Sequence, residues 1–577
     1  MKEYLRQYEK WLSSDRLSKE EKEELESIKN DEEEIESRFY GALEFGTAGL
    51  RGIMAAGLNR MNVHVIRHTT QAFANIISQY GEEGKARGVA ISYDCRNNSR
   101  EFAKETARVM AANGIRVRLF EDMRPTPELS FAVIKYNCIA GVNITASHNP
   151  KEYNGYKVYW EDGAQLPPEH AEKISREMKK LDIFDDINEI DYETALARGL
   201  ITIMGRQTDE FFLEKVMEQV NDYDVVKRCQ DEFKMVYTPF HGTGYRLIPE
   251  ALSRLGIKNL ICVPEQMVID GNFPTVKSPN PENPEGFRLA VRLAEETGAD
   301  FILGSDPDAD RVGIMVRAKN GEFIPISGNQ TGALLLDYLI GAKTRKGTMP
   351  PRPAALKTIV TTDMAAKIAE DNGLDCYDTF TGFKFIAEKK NELETAGRNK
   401  VIFSYEESYG YMAGDFVADK DAVTASVLLA EMAAWYYSKG MTLYDALQEL
   451  YKKYGYYSEK TISIVMPGID GIEKMAAIMK ELRDNSPADI AGERILEIKD
   501  YRDGIATDTA TGKKEKMELE GSNVLRYEME DDTSIIIRPS GTEPKIKIYV
   551  LTKGHSKEDC QEKIARYQDW TQELSKR

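Results

Sequence analysis

From about residue 40 onward, apolar β-branched runs of strand length alternate with stretches of helical periodicity, and this alternation is what most restricts the fold. "GVAISYD" (88–94) followed by "SREFAKETARVMAANG" (99–114) is one such unit. Strands and helices in alternation stack as layers, so the chain is expected to be α/β. Residues 1–40 read instead as helices: Tyr4, Tyr8, Trp11 and Leu12 recur at helical spacing, and Ser18 with Glu21 has the capping-box pattern. Their expected role is structural. A chain of 577 residues should hold roughly three to five domains with cores of their own, and no repeat of fixed period is visible.

Three strand-like runs end in unusually polar loops: "IAGVNITASHNP", "ADFILGSDPDADR" (299–311) and "KVIFSYEESYGY" (400–411). In α/β sheets ligands gather at the carboxyl ends of strands, so these loops are expected to meet in one cleft. A fourth run, "TSIIIRPSGTEPKIKIYV" (533–550), has a polar hairpin-like tip between alternating strands and is assigned to a separate α+β domain. Linkers are expected near 203–208, 322–330 and 454–460.

The formal charge of −18 and a pI near 5.1 argue against nucleic acid or an anionic membrane as partner, because the long-range field repels both. An anionic substrate then needs a local basic pocket. Cysteines 95, 138, 229, 262, 376 and 560 lack C-x-x-C spacing and fit reduced thiols. The opening "MKEYLRQYEKWLSS" has no apolar core of a leader, and no uncharged span of about 18 residues occurs. A cytoplasmic location is expected.

In "TASHNP" (145–150) Ser147 sits where a strand gives way to a loop, and a plain turn and a reactive serine are both open readings. The G-x-S-x-G nucleophile elbow is absent, since Ala146 and His148 flank the serine. "DPDADR" offers Asp306, Asp308 and Asp310 at every second position, so an extended loop points all three carboxylates one way, a hard-oxygen set that suits Mg²⁺. A calcium EF-hand is a poor rival, with Arg311 at its sixth position and Arg317 at its twelfth, and the D-x-D-x-[TV] phosphatase pattern fails at Asp310. A solvated acidic turn is the bland alternative. "RPSGTEP" places Arg538, Ser540, Gly541 and Thr542 at a tight tip, either a phosphate nest or a decorated hairpin. "YEESYG" brings Glu406 and Ser408 to a strand end, an acceptor and a donor for vicinal sugar hydroxyls. "FGTAGLRG" (45–52) carries Arg51, and "YNGYK" (153–157) supplies Lys157. Phosphoryl transfer accounts for a nucleophile, a metal triad, a sugar contact and a phosphate nest together.

These motifs, in this order and spacing, resemble the α-D-phosphohexomutases from about residue 40 to the C-terminus, and with "DPDADR" for the common D-G-D-G-D-R they look most like the family's longer branch. The resemblance implies a four-domain architecture around a central cleft, three related α/β domains with mixed sheets and a C-terminal α+β domain, expected at 1–205, 206–325, 326–456 and 457–577. It implies that Ser147 is a phosphoserine, that Ser147, Asp306, Asp308 and Asp310 hold Mg²⁺, and that Arg311 positions the phosphoryl group. Glu406 and Ser408 would contact the sugar, and Arg538, Ser540, Gly541 and Thr542 the non-reacting phosphate. Lys157 would be the general acid/base with Arg51 nearby, its pKa lowered by Arg51, while Thr381, Gly382 and Lys384 of "TGFKF" and Lys420 would bind substrate. His148 is given a supporting role, because adjacent side chains in an extended loop diverge. His241 of "PFHGTG" is read as structural.

The implied reaction interconverts α-D-glucose 1-phosphate and glucose 6-phosphate through a glucose 1,6-bisphosphate intermediate, with sugar phosphates as partners and a monomer or weak homodimer as the assembly. Alternatives are action on ribose or deoxyribose 1-phosphate, action on mannose phosphates, bisphosphate synthesis without isomerisation, and a non-catalytic sugar-phosphate sensor. Domain four, behind a short linker, is the expected moving part.

Overall fold

The computed structural model describes residues 2–46, 49–466, 471–540 and 545–574. They form two compact units, Met1–Ser327 with Ser408–Thr442, and Gly328–Glu407 with Leu443–Arg577.

The first unit opens with helices Glu3–Ser13, Lys19–Ser27 and Glu32–Phe39. Ser18 and Glu21 form the expected capping box, each side chain accepting from the other's backbone N–H. Trp11 is fully buried, edge-on to Phe39, His64 and Phe184 at centroid distances of 5.8, 5.6 and 5.2 Å. That aromatic cluster pins the N-terminal helices to helix Val63–Ser78.

Behind them lies a mixed sheet in the order Leu50–Ile53, Tyr153–Trp160, Ala140–Ile144, Val89–Tyr93, Val117–Phe120, Ile201–Met204. Its central strands are parallel, and Tyr153–Trp160 runs antiparallel to both neighbours. Residues 89–93 and 140–144 are buried throughout, the mark of strands covered on both faces. A second mixed sheet runs Phe323–Ile326, Val312–Arg317, Phe301–Ser305, Lys234–Thr238, Asn259–Cys262. The chain leaves the parallel strands Ala140–Ile144 and Phe301–Ser305 at their carboxyl ends, directly into "TASHNP" and "DPDADR".

In the second unit Asp375–Thr379, Pro353–Thr358 and Lys400–Glu406 are parallel neighbours. A C-terminal antiparallel sheet runs Tyr456–Val465, Lys545–Gly554, Thr533–Pro539, Leu525–Met529, Glu493–Asp500, Ile505–Asp508, Lys514–Lys516. The fold is thus α/β with a C-terminal α+β part, as expected. These two sheets share a core in which Ile359 and Val360 pack with Ile536, Tyr549 and Leu551. Buried Lys357 also pairs with Asp363 at 3.1 Å and Asp378 at 2.8 Å, and Arg526 reaches Asp363 at 2.9 Å. A C-terminal domain moving on its own would have to break that core and that ion network, so the expectation drawn from a short linker misses what binds it.

The three expected linkers are ordered as well. Residues 201–204 pair with Val117–Phe120, 323–326 with Val312–Arg317, and 456–465 with Lys545–Gly554. Edge strands carry polar residues on their open side and so resemble linkers in composition. All six cysteines are free thiols. Among the described residues no helix is long and apolar enough to cross a membrane.

Trp11→Ala empties a fully buried aromatic site and is expected to lower the stability of the first unit by ~3–5 kcal/mol, read as an earlier urea midpoint. An unchanged midpoint would mean that the N-terminal helices are not part of this folding unit.

Candidate functional site

Ser147 follows the strand Ala140–Ile144 and is 3% exposed, with φ at 51°, left-handed for a non-glycine residue. Its N–H donates to Thr145 Oγ1 at 2.8 Å, and its hydroxyl donates to Asp306 Oδ2 at 2.9 Å and lies 3.2 Å from His148 Nδ1. The expectation that Ser147 and His148 diverge assumed extended backbone. The left-handed turn at Ser147 swings the two side chains together instead.

Arg96 holds this loop. Its side chain has no exposed surface, and it donates to the carbonyls of Ser147 at 2.6 Å, Pro150 at 2.8 Å and Tyr153 at 3.0 Å, and also to that of Asn149. Asp94 pairs with it at 3.2 Å and accepts from Thr145 Oγ1 at 2.6 Å and Ser99 Oγ at 2.7 Å. Phe273 lies under the guanidinium, 5.1 Å from its ring centroid. A five-donor fork suits such a task because one rigid plane can reach several carbonyls at once.

Opposite Ser147, Asp306, Asp308 and Asp310 are 0, 0 and 2% exposed, with one oxygen from each lying within 4.8 Å of the others. The loop is a turn, not the extended segment expected, and Ala309 takes φ 51° so that the carboxylates converge. Gly242 lets the loop pack closely, since a Cβ there would stand 2.4 Å from Pro307 Cα. Asp306 Oδ1 accepts from the N–H groups of Asp310 and Arg311 at 3.1 and 3.0 Å. Asp308 Oδ2 accepts from Lys157 at 2.6 Å and Thr126 Oγ1 at 2.8 Å. Lys157 and Lys420 each lie 3.4 Å from Asp310 Oδ2. Asp308 Oδ1 and Asp310 Oδ1 are buried without a hydrogen-bond partner. Buried carboxylate oxygens left in that state fit a divalent cation, whose hard charge would satisfy both.

Burial and the Asp308 and Asp310 charges push the Asp306 carboxyl well above its ordinary range, while Lys157 holds Asp308 below it against the effect of burial. Burial, with Arg311 and Arg51, pushes the His148 imidazole well below its ordinary value, so it is neutral. Lys157 does not follow the expectation of a lowered pKa. Burial and Arg51 do pull it down, but Asp308 and Asp310 outweigh them and hold it above the ordinary lysine value. Arg51 is exposed and donates to Asn149 Oδ1 at 2.9 Å, and Arg311 reaches Glu282 at 2.8 Å. His241 spends one ring nitrogen on Val268 O and the other on Thr275 Oγ1, which suits a structural part.

In the second unit Glu406 ends its strand and accepts from the Gly382 N–H at 2.9 Å, where Gly382 has φ 114° at the start of helix Phe383–Thr395. Thr381 precedes it. Burial pushes the Lys384 amine down to about 8, with Glu388 opposing. Arg538 lies on the strand Thr533–Pro539 beside Tyr549, whose hydroxyl burial and the Glu407 charge lift to about 12. Ser540 N donates to Lys545 O at 2.8 Å, beside the antiparallel pairing of Thr533–Pro539 with Lys545–Gly554. Gly541 and Thr542 lie outside the described residues. Ser408 opens the segment Ser408–Thr442, which also carries Lys420 and belongs to the first unit.

Residues 42–183, 210–321 and 327–454 match alpha/beta/alpha domains I, II and III of the family described as phosphoglucomutase/phosphomannomutase. The chain belongs to that family. A phosphoglucomutase of Staphylococcus saprophyticus is 35% identical over 90% of this chain and 92% of its own length, and one of Staphylococcus aureus is 36% identical over 92% and 94%. Among solved structures, a phosphoglucomutase/phosphomannomutase family protein from Burkholderia thailandensis (TM-score 0.66, 18% identity, 92% of this chain and 96% of that one) and pp63/parafusin from Paramecium (0.67, 18%, 92% and 94%) share the fold.

Within this phosphoglucomutase/phosphomannomutase chain, sequence reading passed over Arg96, Asp94 and Thr126. "DCR" (94–96) directly follows the buried strand Val89–Tyr93, so the same rule that flagged the other loops, polar residues at a strand's carboxyl end, would have found it. Thr126 gave no comparable signal, since its partner Asp308 is 182 residues away. Arg96→Lys keeps the charge and loses the fork. It is expected to lower kcat at least ~10²-fold through a displaced loop, with an unchanged circular dichroism spectrum. A wild-type kcat in that variant would count against the clamp.

Proposed function

We propose that this enzyme interconverts α-D-glucose 1-phosphate and glucose 6-phosphate through a phosphorylated Ser147. The observation that carries the reading is a buried serine hydroxyl 2.9 Å from a buried three-carboxylate cluster, in a chain about 35% identical to phosphoglucomutases over most of its length.

Phosphorylated Ser147 gives its phosphoryl group to O6 of glucose 1-phosphate: the Oγ–P bond breaks, the O6–P bond forms, the O6 proton leaves and Ser147 Oγ takes up a proton. Bound glucose 1,6-bisphosphate then turns over, and its C1 phosphoryl group returns to Ser147 Oγ as O1 takes up a proton. Proton and phosphoryl balance across the cycle is zero. Mg²⁺ held by Asp306, Asp308, Asp310 and the serine phosphate would neutralise phosphoryl charge and satisfy the two unpartnered carboxylate oxygens.

The chain's own groups do the rest. Neutral His148, 3.2 Å from Ser147 Oγ, can accept the serine proton when the phosphoryl group returns. Lys157, an ammonium between Asp308 and Asp310, puts a fixed positive charge on the transferring group. Lys420 and Arg311 add cationic character on the same side. Arg96 fixes the loop that carries the hydroxyl. Glu406 and Ser408 are the sugar contacts, with Gly382 N orienting the Glu406 carboxylate. Thr381, Lys384, Arg538, Ser540, Gly541 and Thr542 hold the phosphate that does not react.

Phosphorus NMR with Mg²⁺ and trace glucose 1,6-bisphosphate, offering glucose, mannose and ribose 1-phosphates in parallel, tests the reading. Glucose 1-phosphate is expected to convert fastest, and Ser147→Ala to abolish conversion of all three. A substantial rate in the serine variant sinks the phosphoserine mechanism, and a faster ribose reaction moves the substrate to pentoses.

Lys384 supplies a pH test. Its amine is charged below about pH 8 and neutral above, because burial lowers its pKa. KM for glucose 1-phosphate is therefore expected to rise through about pH 8, and Lys384→Arg, which stays charged, to remove that rise. A pH-independent KM in the parent enzyme would take Lys384 out of phosphate binding.

A further inference from the structure

A cleft of about 500 Å³ opens on the first unit beside the Ser147 loop. Pro150, Lys151 and Glu152 of that loop line it, with the segment 272–277, Glu285 and Arg288 opposite. None of the residues assigned to phosphoryl transfer lines it.

Lys151, Lys277 and Arg288 are exposed there and enter no ion pair among the described residues. Glu152 and Glu285 lie on the same cleft and are likewise unpaired, so three cations face two carboxylates with one positive charge in excess. On a chain of formal charge −18 this is a local reversal of sign. Three cations suit a dianionic phosphate, and two free carboxylates can accept hydrogen bonds from hydroxyl groups on the same molecule. The volume admits a molecule of sugar-phosphate size.

The cleft is mechanically joined to the nucleophile. Phe273, on its wall, carries the Arg96 guanidinium, and Arg96 holds the carbonyls of Ser147, Asn149 and Pro150. Lys151 is itself four residues beyond Ser147 on that loop. We propose that this cleft is a second, regulatory site for a small hydroxylated phosphate monoester, and that its occupation changes the turnover of Ser147 through Phe273 and Arg96.

The test uses glycerol 3-phosphate as probe on the full chain, by calorimetry and by its effect on turnover. Calorimetry is expected to show a saturable site that Lys277→Ala/Arg288→Ala weakens at least tenfold, by loss of two charged phosphate donors, while the rate without the probe stays within about twofold. In the parent enzyme the probe is expected to change kcat without raising KM for glucose 1-phosphate. Phe273→Leu should still bind the probe and lose the effect on kcat. Binding that the double substitution leaves untouched, or purely competitive inhibition, places the probe in the reaction site and overturns the proposal. A full kcat response in Phe273→Leu overturns the route through Arg96. The binding readout does not depend on which sugar phosphate the enzyme isomerises.

Discussion

Three aspartates buried within 4.8 Å of one another are the constraint to which the rest of the first unit answers. Like charges in a low-dielectric interior repel strongly and lose their hydration, so such a cluster exists only where other groups offset it. Here Lys157, Lys420, Thr126 and the backbone N–H groups of Asp310 and Arg311 supply that offset, and Ser147 donates its hydroxyl to the same cluster. These partners come from "TASHNP", "YNGYK", "RPTPE" and the segment around residue 420, far apart in sequence. The charge cluster therefore fixes how the two mixed sheets of this unit meet. The acidity of the whole chain and the cationic lining of the site agree: cations are drawn inward to the carboxylates, and surface Asp and Glu carry the net charge.

Two of the chain's left-handed non-glycine residues lie at the same place. Ser147 and Ala309 both take φ 51°, a conformation that disfavours side chains by about 1–2 kcal/mol each. Both persist because neighbours over-determine them, Ser147 through Thr145 and Arg96, Ala309 through the bonds that Asp306 accepts. The gain is directional. At Ser147 the turn aims the hydroxyl at Asp306 and brings His148 Nδ1 beside it, which extended backbone could not do.

Much of this was legible in the sequence because it is local. Strand-helix alternation, the capping box at Ser18 and Glu21, and polar residues at the ends of apolar strands all depend on neighbours within a few positions. Left-handed φ at Ser147 and Ala309 was not legible, because neither is glycine and no local pattern demands it. Arg96 was hidden for a related reason: an arginine after a strand reads as a surface charge until the four carbonyls it reaches are folded around it. The linkers misread near 205, 325 and 455 are edge or terminal strands, whose polar open side looks like a loop in composition. The C-terminal sheet was read as a separate domain, which its pattern supports, yet Arg526 and Asp363 tie it to the third sheet across 163 residues.

Two lysines show how the same burial yields opposite chemistry. Lys157 and Lys384 both lose hydration, which by itself lowers a lysine pKa. Lys157 meets two carboxylates at 2.6 and 3.4 Å and ends above its ordinary value, whereas Lys384 has only Glu388 to oppose its burial and falls to about 8. At neutral pH the first is a firmly held ammonium, suited to electrostatic support. The second holds its proton loosely, charged below about pH 8 and neutral above. The carboxylates around each amine, more than the lysine itself, decide which role it takes.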